Sequence, residues 1–200
     1  MSNPIDFYFD FSSPYGYFGA VEIGKLAAKY GRTVNWHAIL LGPIFKQIGT
    51  SSLVTIPVKG EYSRHDMART ARFHDIFFKA PSNFPIGSQV AARAVLWTQE
   101  QHPDKAEDLI RTLYSAYFTE DIDISVPATV LRIAGDLGID PGALEAALGS
   151  QDVKDKLRAA TEDAAKKGVF GSPFVIVDGE QFWGFDRFTQ LEAFLKNGKI

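Results

Sequence analysis

The chain has 200 residues, 46% hydrophobic and 22% charged, with a net charge of −3 and no cysteine. That length suits one soluble globular unit with a large core, and the mildly acidic balance gives no electrostatic reason to expect nucleic acid or an anionic membrane as partner. The missing cysteines exclude disulfides, thiol nucleophiles and thiolate metal sites together, so any sulfur chemistry must use a small molecule.

The first residues, Met1-Ser2-Asn3-Pro4, lack the basic and apolar regions of a signal peptide. No apolar run approaches the roughly 18 residues of a membrane span, so the cytoplasm is the expected location. A strand follows at once: Phe7, Phe9 and Phe11 alternate with Asp6, Tyr8 and Asp10 at the two-residue period of a pleated sheet. Ser12-Ser13-Pro14 then changes the pattern. Serine is a preferred helix N-cap, and proline fits the first helical position, where its missing N–H costs nothing. Ser13 is therefore expected at a strand-to-helix turn, its hydroxyl over the open N–H groups of the first turn. Those groups and the helix dipole favour an anion such as a thiolate, carboxylate or phosphate. A plain helix cap is the alternative reading of the same residue.

Tyr17, Val21, Gly24 and Ala28 keep the spacing of one helix face, with Gly24 and Ala28 small enough for close packing on a sheet, and Gly31 ends the helix. Thr33 to Ile39 alternates again as a second strand, giving a βαβ unit with parallel strands and a right-handed crossover. The character shifts at Gly42-Pro43, with short apolar pieces, a weak stretch at Gly49 to Ser52, and Pro57-Val-Lys-Gly60. Glu61 to Phe78 is polar and basic and predicts a helix ending before Pro81. Ser88 is expected to cap a helix through Ala91, Ala94, Val95 and Thr98. Further helices are expected over Pro103 to Phe118, Pro127 to Leu137, from Asp140-Pro141, and from Ser150 to Lys167. Phe174 to Val177, Asp178-Gly179 and Glu180 to Trp183 read as a hairpin on an Asp-Gly turn. Asp186 is expected to cap a last helix carrying Phe188, Leu191, Phe194 and Leu195.

This order predicts a thioredoxin-like α/β fold, β-α-β then β-β-α, with a large all-helical domain inserted between its halves. Residues 1–42 and 169–200 form the first domain and 43–168 the insert. In such an architecture Pro173 should be a cis-proline before the third strand, facing the start of the first helix. Ser172 would then offer its backbone N–H and C=O to an incoming peptide, as an edge strand does.

Asp6-Phe-Tyr-Phe-Asp-Phe with Ser13-Pro14-Tyr15, Pro57-Val-Lys59-Gly60, Val169-Phe-Gly-Ser-Pro173 and Trp183-Gly-Phe-Asp186-Arg187 stand in this order along the chain. Together they resemble the kappa class of glutathione transferases, the family that includes 2-hydroxychromene-2-carboxylate isomerase, over essentially the whole chain. The resemblance implies glutathione as cofactor. It implies that Ser13 hydrogen-bonds the glutathione sulfur and that the Ser172 backbone, beside Pro173, pairs with the cysteinyl part. Asp186 would bind the γ-glutamyl ammonium, with Phe185 and Arg187 beside it, and Lys59 would pair with the glycyl carboxylate. Thr50 stands where relatives carry an asparagine at the glycyl end. The implied activity is a glutathione-dependent isomerisation of the 2-hydroxychromene-2-carboxylate isomerase type. Bound thiolate adds reversibly to an electrophilic intermediate of aromatic degradation, and elimination returns glutathione unchanged. The alternatives are a kappa-class transferase that releases its conjugate, and a non-catalytic thioredoxin-like binder that has lost its redox cysteines. A homodimer with a small electrophilic substrate, aromatic carboxylates included, completes the expectation.

A free thiol, with pKa near 8.5, is only a few per cent ionised at neutral pH. A serine hydroxyl and a helix N-terminus both favour the charged form. One hydrogen bond to a charged group is worth about 1.5–3 kcal/mol, or roughly one to two pKa units. Ser13 as a nucleophile would instead need a histidine base and a strained elbow, and His37, His65, His74 and His102 carry no such motif. His65 and His74, with Asp66 and Asp75 nearby, lack recognised metal-ligand spacing. Arg64, Arg69 and Arg72 are either carboxylate partners for a second substrate or a solvated helix face. Asp186 as a simple N-cap and Lys59 as a surface lysine are the plainer readings of those two residues.

Overall fold

The computed structural model describes residues 3–200, and the strands among them come from the two ends of the chain. These are β1 (Ile5–Phe9), β2 (Val34–Ala38), β3 (Phe174–Val177) and β4 (Glu180–Trp183), in the spatial order β2-β1-β3-β4. β1 and β2 are parallel, with Phe7 opposite Trp36, and α1 (Pro14–Lys29) makes the crossover between them. β3 runs antiparallel to both neighbours, with Val175 opposite Phe7 on one side and Phe182 on the other. Its hairpin partner β4 follows a turn in which Asp178 and Gly179 sit at φ 51° and 86°. That pair of left-handed residues is what an Asp-Gly turn supplies.

Between the two halves lie α2 (Leu41–Ile48), α3 (Lys59–Phe73), α4 (Gln89–Gln101), α5 (Pro103–Glu120), α6 (Pro127–Asp136), α7 (Pro141–Gly149) and α8 (Gln151–Lys166). α9 (Phe188–Asn197) closes the chain. The architecture is a thioredoxin-like fold with a helical insertion.

Both faces of the sheet are covered, which the alternation in β1 does not reveal. Phe7, Phe9, Trp36 and Val175 pack with Phe18 and Ile23 of α1, Tyr114 of α5 and Leu191 of α9. On the other face Tyr8 and Phe174 pack with Leu41 and Ile44 of α2 and Ala164 of α8. Tyr8 and Asp10 are thus nearly as buried as the phenylalanines that alternate with them.

Four local expectations are corrected. The face of α1 against the sheet runs through Gly19, Ile23 and Ala27; a Cβ on Gly19 would meet Phe7 and Pro173 at 3.1 Å. The stripe through Tyr17 and Gly24 faces α5 instead, with Tyr17 against the Tyr114 ring at 5.9 Å and Gly24 backing Arg111, while Ala28 is exposed. A helix buried on two sides carries two apolar stripes, and spacing alone does not say which meets the sheet. α2 spans Leu41–Ile48, where only short apolar pieces are expected from Gly42-Pro43 on, because proline near a helix start loses no intrahelical bond. α3 stops at Phe73 rather than Phe78: Asp75 turns left-handed at φ 53° and Ile76 N–H bonds back to the Ala71 carbonyl at 2.9 Å. Ser88 and Asp186 precede helices as expected, but neither side chain accepts a capping bond. Ser88 spends its hydroxyl on Asp10, and Asp186 sits in a 3-10 turn, Phe185–Arg187, ahead of α9.

Candidate active site at the start of the first helix

Ser13 is the N-cap of α1, with extended φ −94° and ψ 115°, and Pro14 occupies the first helical position. Its Oγ accepts from Gly16 N–H at 3.1 Å and donates to the Ser172 carbonyl at 2.7 Å. The cap and a second contact therefore coexist in one hydroxyl. Ser172-Pro173 is cis, as is Phe84-Pro85, which the sequence reading did not anticipate. Among the described residues the Ser172 N–H has no hydrogen-bond acceptor. An anion-favouring helix start, a hydroxyl and a free backbone donor thus come together. Ser12 does not compete for this role: its N–H and its Oγ each donate to Asp10 Oδ1 at 2.9 Å.

The residue that holds this corner together is Asp10. Besides the two Ser12 donors, its Oδ1 takes Ser88 Oγ at 2.7 Å and its Oδ2 takes Leu41 N–H at 2.7 Å. Its own N–H donates to Ser172 Oγ at 3.0 Å, and its carbonyl accepts from Tyr114 Oη at 3.0 Å. One residue thereby ties the end of β1 to α2, α4, α5 and the proline loop. Burial, with the Asp10 charge added, pushes the Tyr114 hydroxyl well above the ordinary tyrosine range, so it remains a donor. Neither Asp10 nor Tyr114 stood out in the sequence as a site residue. The Asp-x-Ser spacing of an Asx turn was the one available signal for Asp10.

Gly16 lies in the middle of this arrangement. A Cβ there would come 2.5 Å from Ser172 Oγ and 2.8 Å from Tyr114 Oη. Alanine normally gains about 1 kcal/mol over glycine inside a helix. Here the added methyl must displace a buried ring or the Ser172 side chain, and overpacking of that kind costs about 1–3 kcal/mol. Gly16→Ala is therefore expected to be net destabilising by about 1–2 kcal/mol. Denaturant unfolding checks this; a more stable variant would mean that the pocket yields freely.

The β4 end joins the site through Pro173, whose carbonyl accepts from Gly184 N–H at 3.0 Å. Gly184, at φ 99°, opens the turn that carries Phe185, Asp186 and Arg187. Phe185 is buried between Phe18 at 5.8 Å, Phe188 at 5.0 Å and His74 at 4.7 Å, which seats the turn on α1 and α3. The Asp186 side chain stays 73% exposed, with Arg187 3.6 Å away. At the other side of the proline loop a Cβ on Gly171 would collide with the Trp183 indole, so that glycine is required by close approach.

Ser13 is thus bonded to Ser172 beside Pro173, and the Gly184 bond to Pro173 brings the turn carrying Phe185, Asp186 and Arg187 next to that loop. Thr50 and Lys59 are not linked to them: both are exposed in the insertion, at the end of α2 and the start of α3. Arg64, Arg69 and Arg72 lie on an exposed face of α3, Arg69 paired with Asp66 and bonded to Tyr62 at 3.0 Å. Asp66 also accepts from Tyr15 Oη at 2.6 Å, which with burial raises the Tyr15 pKa above its ordinary value and ties α3 to α1. His65 and His74 are exposed, and among the described residues no three side chains come together as metal ligands.

A thioredoxin fold with serine at the start of its first helix, a cis-proline loop facing it and a helical insertion defines a thioredoxin-superfamily protein that supplies no cysteine of its own. The chain belongs to the family of DSBA-like thioredoxin domains, which matches residues 4–196. It is 31% identical to 2-hydroxychromene-2-carboxylate isomerase of Sphingobium xenophagum, over 98% of this chain and 99% of that one. It is 26% identical to glutathione S-transferase kappa 2 of Caenorhabditis elegans, over 96% of this chain and 91% of that one. A solved structure of 2-hydroxychromene-2-carboxylate isomerase superposes with a TM-score of 0.85 at 29% identity, covering 96% of this chain and 94% of the other. The protein is an enzyme of the isomerase and kappa transferase type.

Proposed function

We propose that the protein is a glutathione-dependent isomerase acting on an electrophilic, aromatic-ring-derived carboxylate in the cytoplasm. The observation that carries this reading is the Ser13 hydroxyl at the start of α1, 2.7 Å from the Ser172 carbonyl and beside an unpaired Ser172 N–H. Those groups fit a cysteinyl thiol with a peptide backbone on either side of it: the backbone pairs with Ser172, and the sulfur falls to Ser13. Bound glutathione supplies a thiolate nucleophile for addition to a conjugated carbon. Ser13 stabilises the negative charge, Asp186 holds the γ-glutamyl ammonium, and Phe185 and Arg187 frame that end. Lys59 and Thr50 take the glycyl end, with Lys59 as carboxylate partner. Exposed apolar side chains at Ile48, Leu53, Val58 and Tyr62 along segment 48–62 support assembly as a homodimer. Residues 1–42 and 169–200 carry the sulfur and γ-glutamyl ends of the glutathione site, and the insertion, 43–168, adds Thr50 and Lys59 at the glycyl end and shapes the pocket of the second substrate.

The test is turnover of 2-hydroxychromene-2-carboxylate with and without glutathione. Glutathione-dependent conversion with the thiol recovered supports the isomerase, thiol consumed in proportion to product identifies a transferase, and binding without turnover leaves a carrier. Asp186→Ala should remove most of the glutathione-induced rise in melting temperature, because only native-state binding produces that rise. An undiminished rise in the variant would take Asp186 out of the site.

A further inference from the structure

Between α2, α4 and α8, at the β2 edge of the sheet, lies a cavity of about 360 Å³. Leu40, Pro43 and Leu157 give it apolar walls, and Arg93, Lys154 and Arg158 bring three cations against one carboxylate, Glu162. Two of the cations have partners. Arg158 pairs with Asp155 at 2.7 Å, and Lys154 donates to the Gly149 carbonyl at 2.8 Å. Arg93 has no hydrogen bond or ion pair with any described residue, and its Nε is buried without an acceptor. Arg93 is half-buried, and a guanidinium with no protein partner has donors free for an anion bound in the cavity it lines.

The cavity also indicates which anion. A guanidinium edge matches a planar carboxylate through two parallel hydrogen bonds. Apolar walls beside it favour an acid with an apolar body over a bare inorganic oxyanion, and the volume is in the range of small-ligand sites. We propose that this cavity binds a small organic carboxylate whose charged end pairs with Arg93 and whose apolar body rests on Leu40, Pro43 and Leu157. None of Ser13, Ser172 and Asp186 lines it, so the proposal stands apart from the glutathione reading.

Benzoate serves as the probe, with inorganic phosphate as the bare oxyanion, both titrated into the full chain by calorimetry at fixed ionic strength. Benzoate is expected to bind at least about tenfold more tightly than phosphate. Arg93→Met should weaken benzoate about ten- to a hundredfold, the size of one charge-assisted contact, and Arg93→Lys should recover part of the loss. Without ligand, Arg93→Met should melt no lower than the parent, since it removes an unpaired buried group. Should that variant fold poorly, nuclear Overhauser contacts from benzoate ring protons to the Leu40 and Leu157 methyls of the parent still decide the matter. Contacts elsewhere, phosphate binding as tightly as benzoate, benzoate binding untouched by Arg93→Met, or displacement of benzoate by glutathione would each overturn the proposal.

Discussion

Asp10→Asn is expected to destabilise the protein by about 3 kcal/mol, although it changes no volume and removes a buried charge. The carboxylate accepts at two oxygens: three donors reach Oδ1 and Leu41 N–H reaches Oδ2. An amide has one oxygen. Wherever it points, its NH₂ must face a fixed donor. If the oxygen stays with Ser12 and Ser88, three charge-assisted bonds become neutral ones, each weaker by about 1 kcal/mol, and the Leu41 N–H is orphaned for about 1–3 kcal/mol more. Relief from burying a charge works the other way and offsets part of that total. The losses win because the Ser12 and Leu41 N–H groups are backbone donors, fixed by the turn after β1 and by the start of α2, and cannot turn elsewhere. For a chain of 200 residues, about 3 kcal/mol corresponds to a melting temperature lower by about 6–12 °C. Thermal unfolding checks this. A drop below about 2 °C would mean that the corner repacks around the amide.

The same residue shows how far the sequence could be read. Strands and most helices were legible because they rest on local periodicity and turn chemistry: Asp178-Gly179 needs two left-handed residues, and Asp140 and Ser150 cap helices within their own segments. Ser13 was legible for the same reason, since serine followed by proline marks a helix start. What stayed hidden depends on partners far along the chain. Asp10 is satisfied by Leu41 and Ser88, 31 and 78 residues away, and its backbone by Ser172 and Tyr114, 162 and 104 residues away. No spacing rule encodes those pairings, so Ser88 looks like an N-cap although its hydroxyl faces a carboxylate. Arg93 was hidden differently. In the sequence it is one more arginine on an amphipathic helix, and only packing shows that nothing reaches it. The helix start at Ser13 and the cis Gly-Ser-Pro loop, where the proposed site has its sulfur end, were therefore readable from the chain. The support behind them was not.

Ser13→Ala should raise the pKa of glutathione's bound thiol by about one to two units and lower turnover by about ten- to a thousandfold. In the structure the hydroxyl proton is directed at the Ser172 carbonyl, 2.7 Å away. A ligand amide donating to that carbonyl would take over the acceptor and release the hydroxyl to the sulfur, while Oγ keeps its bond from Gly16 N–H. The serine then stabilises a charge that the thiol form lacks, which is the condition for lowering a pKa. Removing it also removes the cap of α1, at a cost of about 0.5–2 kcal/mol in stability. Ser13→Thr separates the two effects, because it keeps both the cap and the donor and should titrate like the parent. Ser12→Ala is the neighbouring control. Its hydroxyl is committed to Asp10, so the thiol pKa should not move, while stability falls by about 1 kcal/mol. Glutathione affinity should change far less than turnover in Ser13→Ala, since in the proposed site Ser172 and Asp186 hold the rest of the molecule. The measurement is thiolate absorbance of the complex followed against pH, beside steady-state rates. If Ser13→Ala titrates and turns over like the parent, the serine is a cap alone, and the N–H groups of α1 carry the activation unaided.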